Sequence, residues 1–123
     1  MNSILQSLAA RSYTGAEIDE LLGSPTSFPS ELVEKLSIET ALNFWKGLFT
    51  FDEGDYIMNN LHSYWFANEA YCLNHEFPRV AYDCYLAFDD GEHLHGSKDS
   101  SIDPVELYTK PQIKELLKEL KLI

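Results

Sequence analysis

Apolar residues recur along this chain at intervals of three and four, the spacing of one face of a helix. Ile4, Leu5 and Leu8 mark a first short helix between Ser3 and Arg11. Thr14-Gly15-Ala16-Glu17 has the form of a capping box, and Ile18, Leu21 and Leu22 follow it at helical spacing until Gly23 stops the element. Pro29 suits the first turn of a helix carrying Leu32, Val33 and Leu36. Ser37 is read as the cap of a further helix with Ala41, Leu42, Trp45 and Leu48 on one side. Phe51-Asp52-Glu53-Gly54 reads as a break, after which Asp55 caps the longest element, Tyr56 to Leu73. Thr109-Lys110-Pro111-Gln112 resembles a second capping box, opening a last helix through Ile113, Leu116, Leu117 and Leu120.

One stretch supports two readings. Val80, Tyr82, Cys84, Leu86 and Phe88 alternate as a strand would, and Asp90-Gly91 could then turn a hairpin into Glu92-His93-Leu94. The helical reading places Pro78 in a first turn, with Ala81, Cys84, Tyr85 and Phe88 facing inward. A lone hairpin is marginal in water, and no other strand is evident. The pattern therefore predicts an all-α bundle of about five or six helices, with α+β and one hairpin near residues 80–95 as the alternative. Gly96 to Pro104 is a polar loop. No repeat, low-complexity tract or linker divides residues 1–123, so a single domain is expected.

Composition changes this picture chiefly through charge. The chain of 123 residues has a net charge of −11. Between Gly47 and Ser97 stand nine carboxylates (Asp52, Glu53, Asp55, Glu69, Glu76, Asp83, Asp89, Asp90, Glu92) against one cation, Arg79. The same stretch holds eleven aromatic residues, from Phe49 to Phe88. Five of the nine bases lie from Lys98 onward, interleaved with acids as on a solvated helix face. Phosphate binding needs clustered Lys and Arg, so direct nucleic-acid binding is not expected. A basic protein partner is. No apolar run is long enough for a membrane span, and Met1-Asn2-Ser3-Ile4 lacks the form of a secretory signal, so a cytoplasmic location is expected. Cys72 and Cys84 then read as free, buried thiols.

Candidate chemistry is sparse. Asp89-Asp90-Gly91-Glu92-His93-Leu94-His95 is dense in metal-ligating types, but it has neither the calcium-loop spacing nor the HExxH arrangement. An exposed acidic turn, with Asp and Gly as turn formers, is the preferred reading. His62 and His75 could each act as a base, yet no nucleophile elbow, papain-like cysteine context, P-loop or dinucleotide fingerprint accompanies them. No catalytic residue, metal or cofactor is assigned. The aromatics have a plain role as core, but Tyr64, Trp65 and Phe66 are consecutive, and on a helix one of the three must point away from the others. An aromatic beside carboxylates suits an interface anchor, and Trp65 is the candidate.

Ala81-Tyr82-Asp83-Cys84-Tyr85-Leu86-Ala87-Phe88-Asp89-Asp90-Gly91-Glu92 and the tail from Asp103-Pro104-Val105-Glu106 through Leu120 carry a resemblance. In an acidic, helical chain of this length, they resemble bacterial toxin-immunity proteins of the colicin D immunity type and of contact-dependent growth inhibition systems. The likeness is general in character and covers the C-terminal two-thirds. It implies a non-catalytic cytoplasmic protein that binds one cognate toxin, a tRNA-cutting nuclease, and blocks its basic cleft. The partner-binding residues so implied are Asp83, Asp89, Asp90 and Glu92, joined by Asp52, Glu53, Asp55 and the anchor Trp65. Two other functions fit the residues: an acidic adaptor or nucleic-acid mimic acting on another basic protein, and a small metal-dependent hydrolase built on Asp89 to His95.

Overall fold

Asn60 shows how the fold is tied together. Its side-chain amide donates to the carbonyls of Leu8 and Arg11, each at 2.9 Å, and its Oδ1 accepts the backbone N–H of Tyr13 at 2.9 Å. One buried side chain thereby satisfies the frayed C-terminal end of the first helix and fixes the turn into the second. The computed structural model describes residues 3–92 and 103–123. These form seven α-helices: α1 Ser3–Ala10, α2 Gly15–Leu21, α3 Ser30–Trp45, α4 Phe51–Ala67, α5 Glu69–Asn74, α6 Arg79–Gly91 and α7 Lys110–Glu119. A π-helical turn, Val105–Thr109, runs into α7. No strand occurs among the described residues, so the architecture is all-α, and the hairpin alternative gives way to a continuous α6.

α4 is the central helix and packs against α1, α2, α3, α5 and α6. Its buried face, Gly54, Ile57, Met58, Asn60, Leu61 and Tyr64, follows the helical period. Around it lie Leu5, Leu8, Ile18, Val33, Leu36, Phe88, Ile113 and Leu117, all essentially without solvent exposure. Burying each such side chain contributes about 1.5–3 kcal/mol.

Four boundaries differ from the sequence reading. α3 does not restart at Ser37, whose hydroxyl donates back to the Val33 carbonyl at 2.8 Å, as Thr40 does to Leu36 at 2.7 Å. A hydroxyl satisfied within its own helix has no cap to supply. α4 begins at Phe51 rather than after Asp55. Thr50 is its N-cap and Glu53 completes the capping box, accepting the Thr50 N–H at 2.9 Å. The acid-rich "break" is thus a first helical turn, where carboxylates favour the positive end of the helix dipole. At the other end α4 stops at Ala67, and Asn68 caps α5 by accepting the Tyr71 N–H at 3.2 Å. Thr109, finally, caps nothing. Its buried hydroxyl donates to the Ala87 carbonyl at 2.7 Å and so fastens α7 to α6. The capping box at Thr14 is present as expected, and Gly23, at φ +91°, closes α2. Both cysteines are free, and the buried Cys84 thiol lies 3.6 Å from the Ser37 carbonyl. The Gly96–Pro104 loop falls largely outside the described residues. No helix among those described is long and apolar enough to cross a membrane.

Candidate functional site

Gly54 sets the spacing of the site. A Cβ at this position would come within 2.5 Å of the Phe88 ring, so only glycine lets α6 settle this closely on α4. Phe88 is held from its other sides by Phe44 and Phe51, with ring centroids at 5.1 and 5.8 Å. With the two helices in register, two rows of side chains share one face. On α4 the row is Asp52, Asp55, Asn59, His62 and Phe66. On α6 and its C-terminal residue it is Tyr82, Tyr85, Asp89 and Glu92. Both rows repeat at three and four residues, and both run from carboxylates at one end to rings at the other.

At the acidic end, Asn59 donates to Glu92 at 3.1 Å. Asp55 is half-buried, and its Oδ1 is enclosed with no hydrogen-bond donor among the described residues. Burial foremost, then a hydrogen bond shared with Glu92 and the charges of Glu92, Asp89 and Asp52, push the Asp55 carboxyl up to about 8.

At the aromatic end the rings form a ladder. His62 stacks on Tyr85 with centroids 4.2 Å apart and planes within 8°. Phe66 lies nearly parallel to His62 at 6.2 Å, and Tyr82 stacks against Tyr85 at 6.2 Å. Phe77 closes the ladder from behind, edge-on to His62 at 5.3 Å. Burial lowers the His62 pKa against the opposing pull of Asp89, so the imidazole is neutral at pH 7. Burial, followed by Asp89 and Glu92, raises that of Tyr85. Phe66 is 66% exposed and Tyr82 44%. Beside the ladder is a hollow of about 330 Å³, lined among others by Tyr13, Asn59, His62, Phe66 and Tyr85.

The residues singled out from sequence do not form one patch. Asp52, Asp55, Asp89 and Glu92 lie along the α4/α6 face. Glu53 serves as the capping acid of α4. Asp83 and Asp90 stand on the other side of α6, toward α7: Asp90 accepts from Gln112 at 2.7 Å, and Asp83 shares a shallow groove with Leu86, Glu115, Leu116 and Glu119. Arg79, the lone base of the segment, approaches Asp83 only to 3.9 Å across an exposed turn. Of the three consecutive aromatics, Tyr64 is buried, with its hydroxyl donating to Asp19 at 2.7 Å. Trp65 is half-buried, and its indole N–H is engaged by the His75 carbonyl at 2.7 Å. Phe66 is the most exposed ring of the three. Asn59, His62 and Phe66 stand at helical spacing on the outer face of α4 and Tyr82 on that of α6; the sequence places each on its helix but not the neighbouring helix it faces. Thr50-Phe51-Asp52-Glu53 has the same capping-box form as Thr14 to Glu17 and marks the start of α4.

Cys84, buried and pushed up to about 12 by burial, has no nucleophilic character. No three metal-ligating side chains converge among the described residues. His93 and His95, which the hydrolase reading requires, lie outside them. The chain matches no protein-family model, no curated protein and no solved structure.

Proposed function

We propose that this protein is an immunity-type inhibitor, a non-catalytic cytoplasmic protein that binds a basic bacterial toxin domain and covers its active-site cleft. The toxin we infer is a nuclease that cuts tRNA. The observation that carries this reading is the gathering of Asp52, Asp55, Asp89 and Glu92 along the α4/α6 face beside the exposed rings of Phe66 and Tyr82. A cationic side chain from a partner would find complementary carboxylates on this face. A nuclease presents such side chains where it grips the phosphates of its substrate. The net charge of −11 would speed encounter with a basic domain, and the exposed rings of Phe66 and Tyr82 would supply the desolvated contacts that slow release.

The test is inhibition itself. The basic domain that co-purifies with the chain from its native cells is isolated, and its cleavage of tRNA is measured as the chain is titrated in. Cleavage should stop at one chain per toxin molecule. Unaltered cleavage at a large excess of the chain would remove the reading.

A further inference from the structure

Resting on the reading of a basic partner, we propose that the α4/α6 face is selective for arginine: a partner's guanidinium lies against the ring ladder of Phe66, His62, Tyr85 and Tyr82 and pairs with the carboxylates of Asp89 and Glu92. A lysine would satisfy the charge alone. The distinction follows from the ladder. Four rings stand within about 30° of parallel, two of them well exposed, and they adjoin the carboxylates rather than standing apart from them. A flat, weakly hydrated guanidinium can stack on such rings while its N–H groups reach a carboxylate, whereas a compact, strongly hydrated ammonium does only the second.

The chain already shows this combination once. At the rim of the same hollow, the Arg11 guanidinium lies 3.8 Å from the centroid of the Tyr13 ring and pairs with Glu17 at 3.0 Å. The hollow beside His62, Phe66 and Tyr85 is large enough for a second side chain to lie in the same manner. Asp89 acts electrostatically on both His62 and Tyr85, which places its charge against the ladder. Nucleic-acid bases also stack on rings, but their phosphates would meet Asp52, Asp89 and Glu92.

The test uses the full chain with three probes at low salt: hexa-arginine, hexa-lysine and a short thymidine oligonucleotide. Binding is followed through the ring resonances of His62, Tyr82 and Tyr85. Hexa-arginine should shift these resonances and bind about two- to fivefold more tightly than hexa-lysine, the range for a cation on an exposed ring. Phe66→Leu and Tyr82→Leu, both at exposed positions, should each bring the affinity for hexa-arginine down to that for hexa-lysine. Equal affinity for the two peptides at this face would overturn arginine selectivity and leave the basic-partner reading standing. Peptide shifts confined to the Asp83 and Glu115 groove, or oligonucleotide binding at the ladder, would overturn the assignment of the face. Failure of both peptides to bind would remove both readings together.

Discussion

Replacing Asp55 by asparagine should make the free protein more stable and the bound complex weaker. Asparagine keeps the shape of a protonated aspartic acid and can still donate to Glu92, but it carries no charge. In the folded chain the Asp55 carboxyl is raised from 3.8 to about 8. In the unfolded chain it ionises near its ordinary value. Between these limits the folded state holds a proton that the unfolded state has released, so stability falls as pH rises from about 4 to about 8. At about 1.4 kcal/mol per pKa step the full difference is roughly 5–6 kcal/mol. Asp55 is only half-buried, and solvent screening reduces the part expressed in stability to about 1–2 kcal/mol. Urea unfolding of the two proteins should therefore coincide near pH 4 and separate by about 1–2 kcal/mol at pH 8, with Asp55→Asn the more stable. The same substitution should weaken partner binding, because the charge that costs stability in the free chain is the one a cation would meet. A difference that did not vary with pH, or an asparagine variant less stable at pH 8, would refute this description of the carboxyl pair.

Three further outcomes follow from the packing. Asn60→Ala removes two donors and one acceptor from buried backbone partners; chemical denaturation should show a loss of about 2–3 kcal/mol and earlier hydrogen exchange in α1. Gly54→Ala forces the Phe88 ring away from α4 and should cost about 1–3 kcal/mol, with broadened Phe88 resonances as the local sign. Glu17 is held down to about 2, first by the Thr14 backbone N–H and then by Arg11 and the Thr14 hydroxyl. The stabilisation it supplies is complete above about pH 4.5 and is lost as pH falls toward 2, so Glu17→Gln should flatten the acid limb of a thermal-melting series.

The elements were legible wherever apolar periodicity was strong: α2, α6 and α7 lie close to where the spacing of Ile18, Ala81 and Ile113 puts them. The errors all arose at polar residues whose side chains have a local and a distant use. Ser37 and Thr109 are good caps by type, but one bonds within its own helix and the other reaches across to Ala87. Thr50 went unnoticed because Asp52, Glu53 and Gly54 together look like a turn, and only the hydrogen bonds of Thr50 and Glu53 reveal the helix start. The site was half legible. That acids and aromatics crowd one segment is a property of the sequence. That Asp89 and Glu92 turn toward α4 while Asp83 and Asp90 turn toward α7 follows from the pitch of α6 once its neighbours are known. The upward shift of the Asp55 carboxyl comes from burial and then from Glu92, thirty-seven residues away in sequence, and no local pattern contains either.

The most direct measurement is the association rate between the chain and its purified basic partner domain, followed as a function of salt for single charge reversals on the two sides of α6. Asp89→Lys and Glu92→Lys should slow association and reduce its salt dependence. At least one of them should weaken binding by about 2–5 kcal/mol if its partner cation is buried at the interface. Asp83→Lys and Asp90→Lys, on the side facing α7, should have much smaller effects. If all four reversals left rate and affinity unchanged, or if only the α7-facing pair mattered, the α4/α6 face would not be the binding surface.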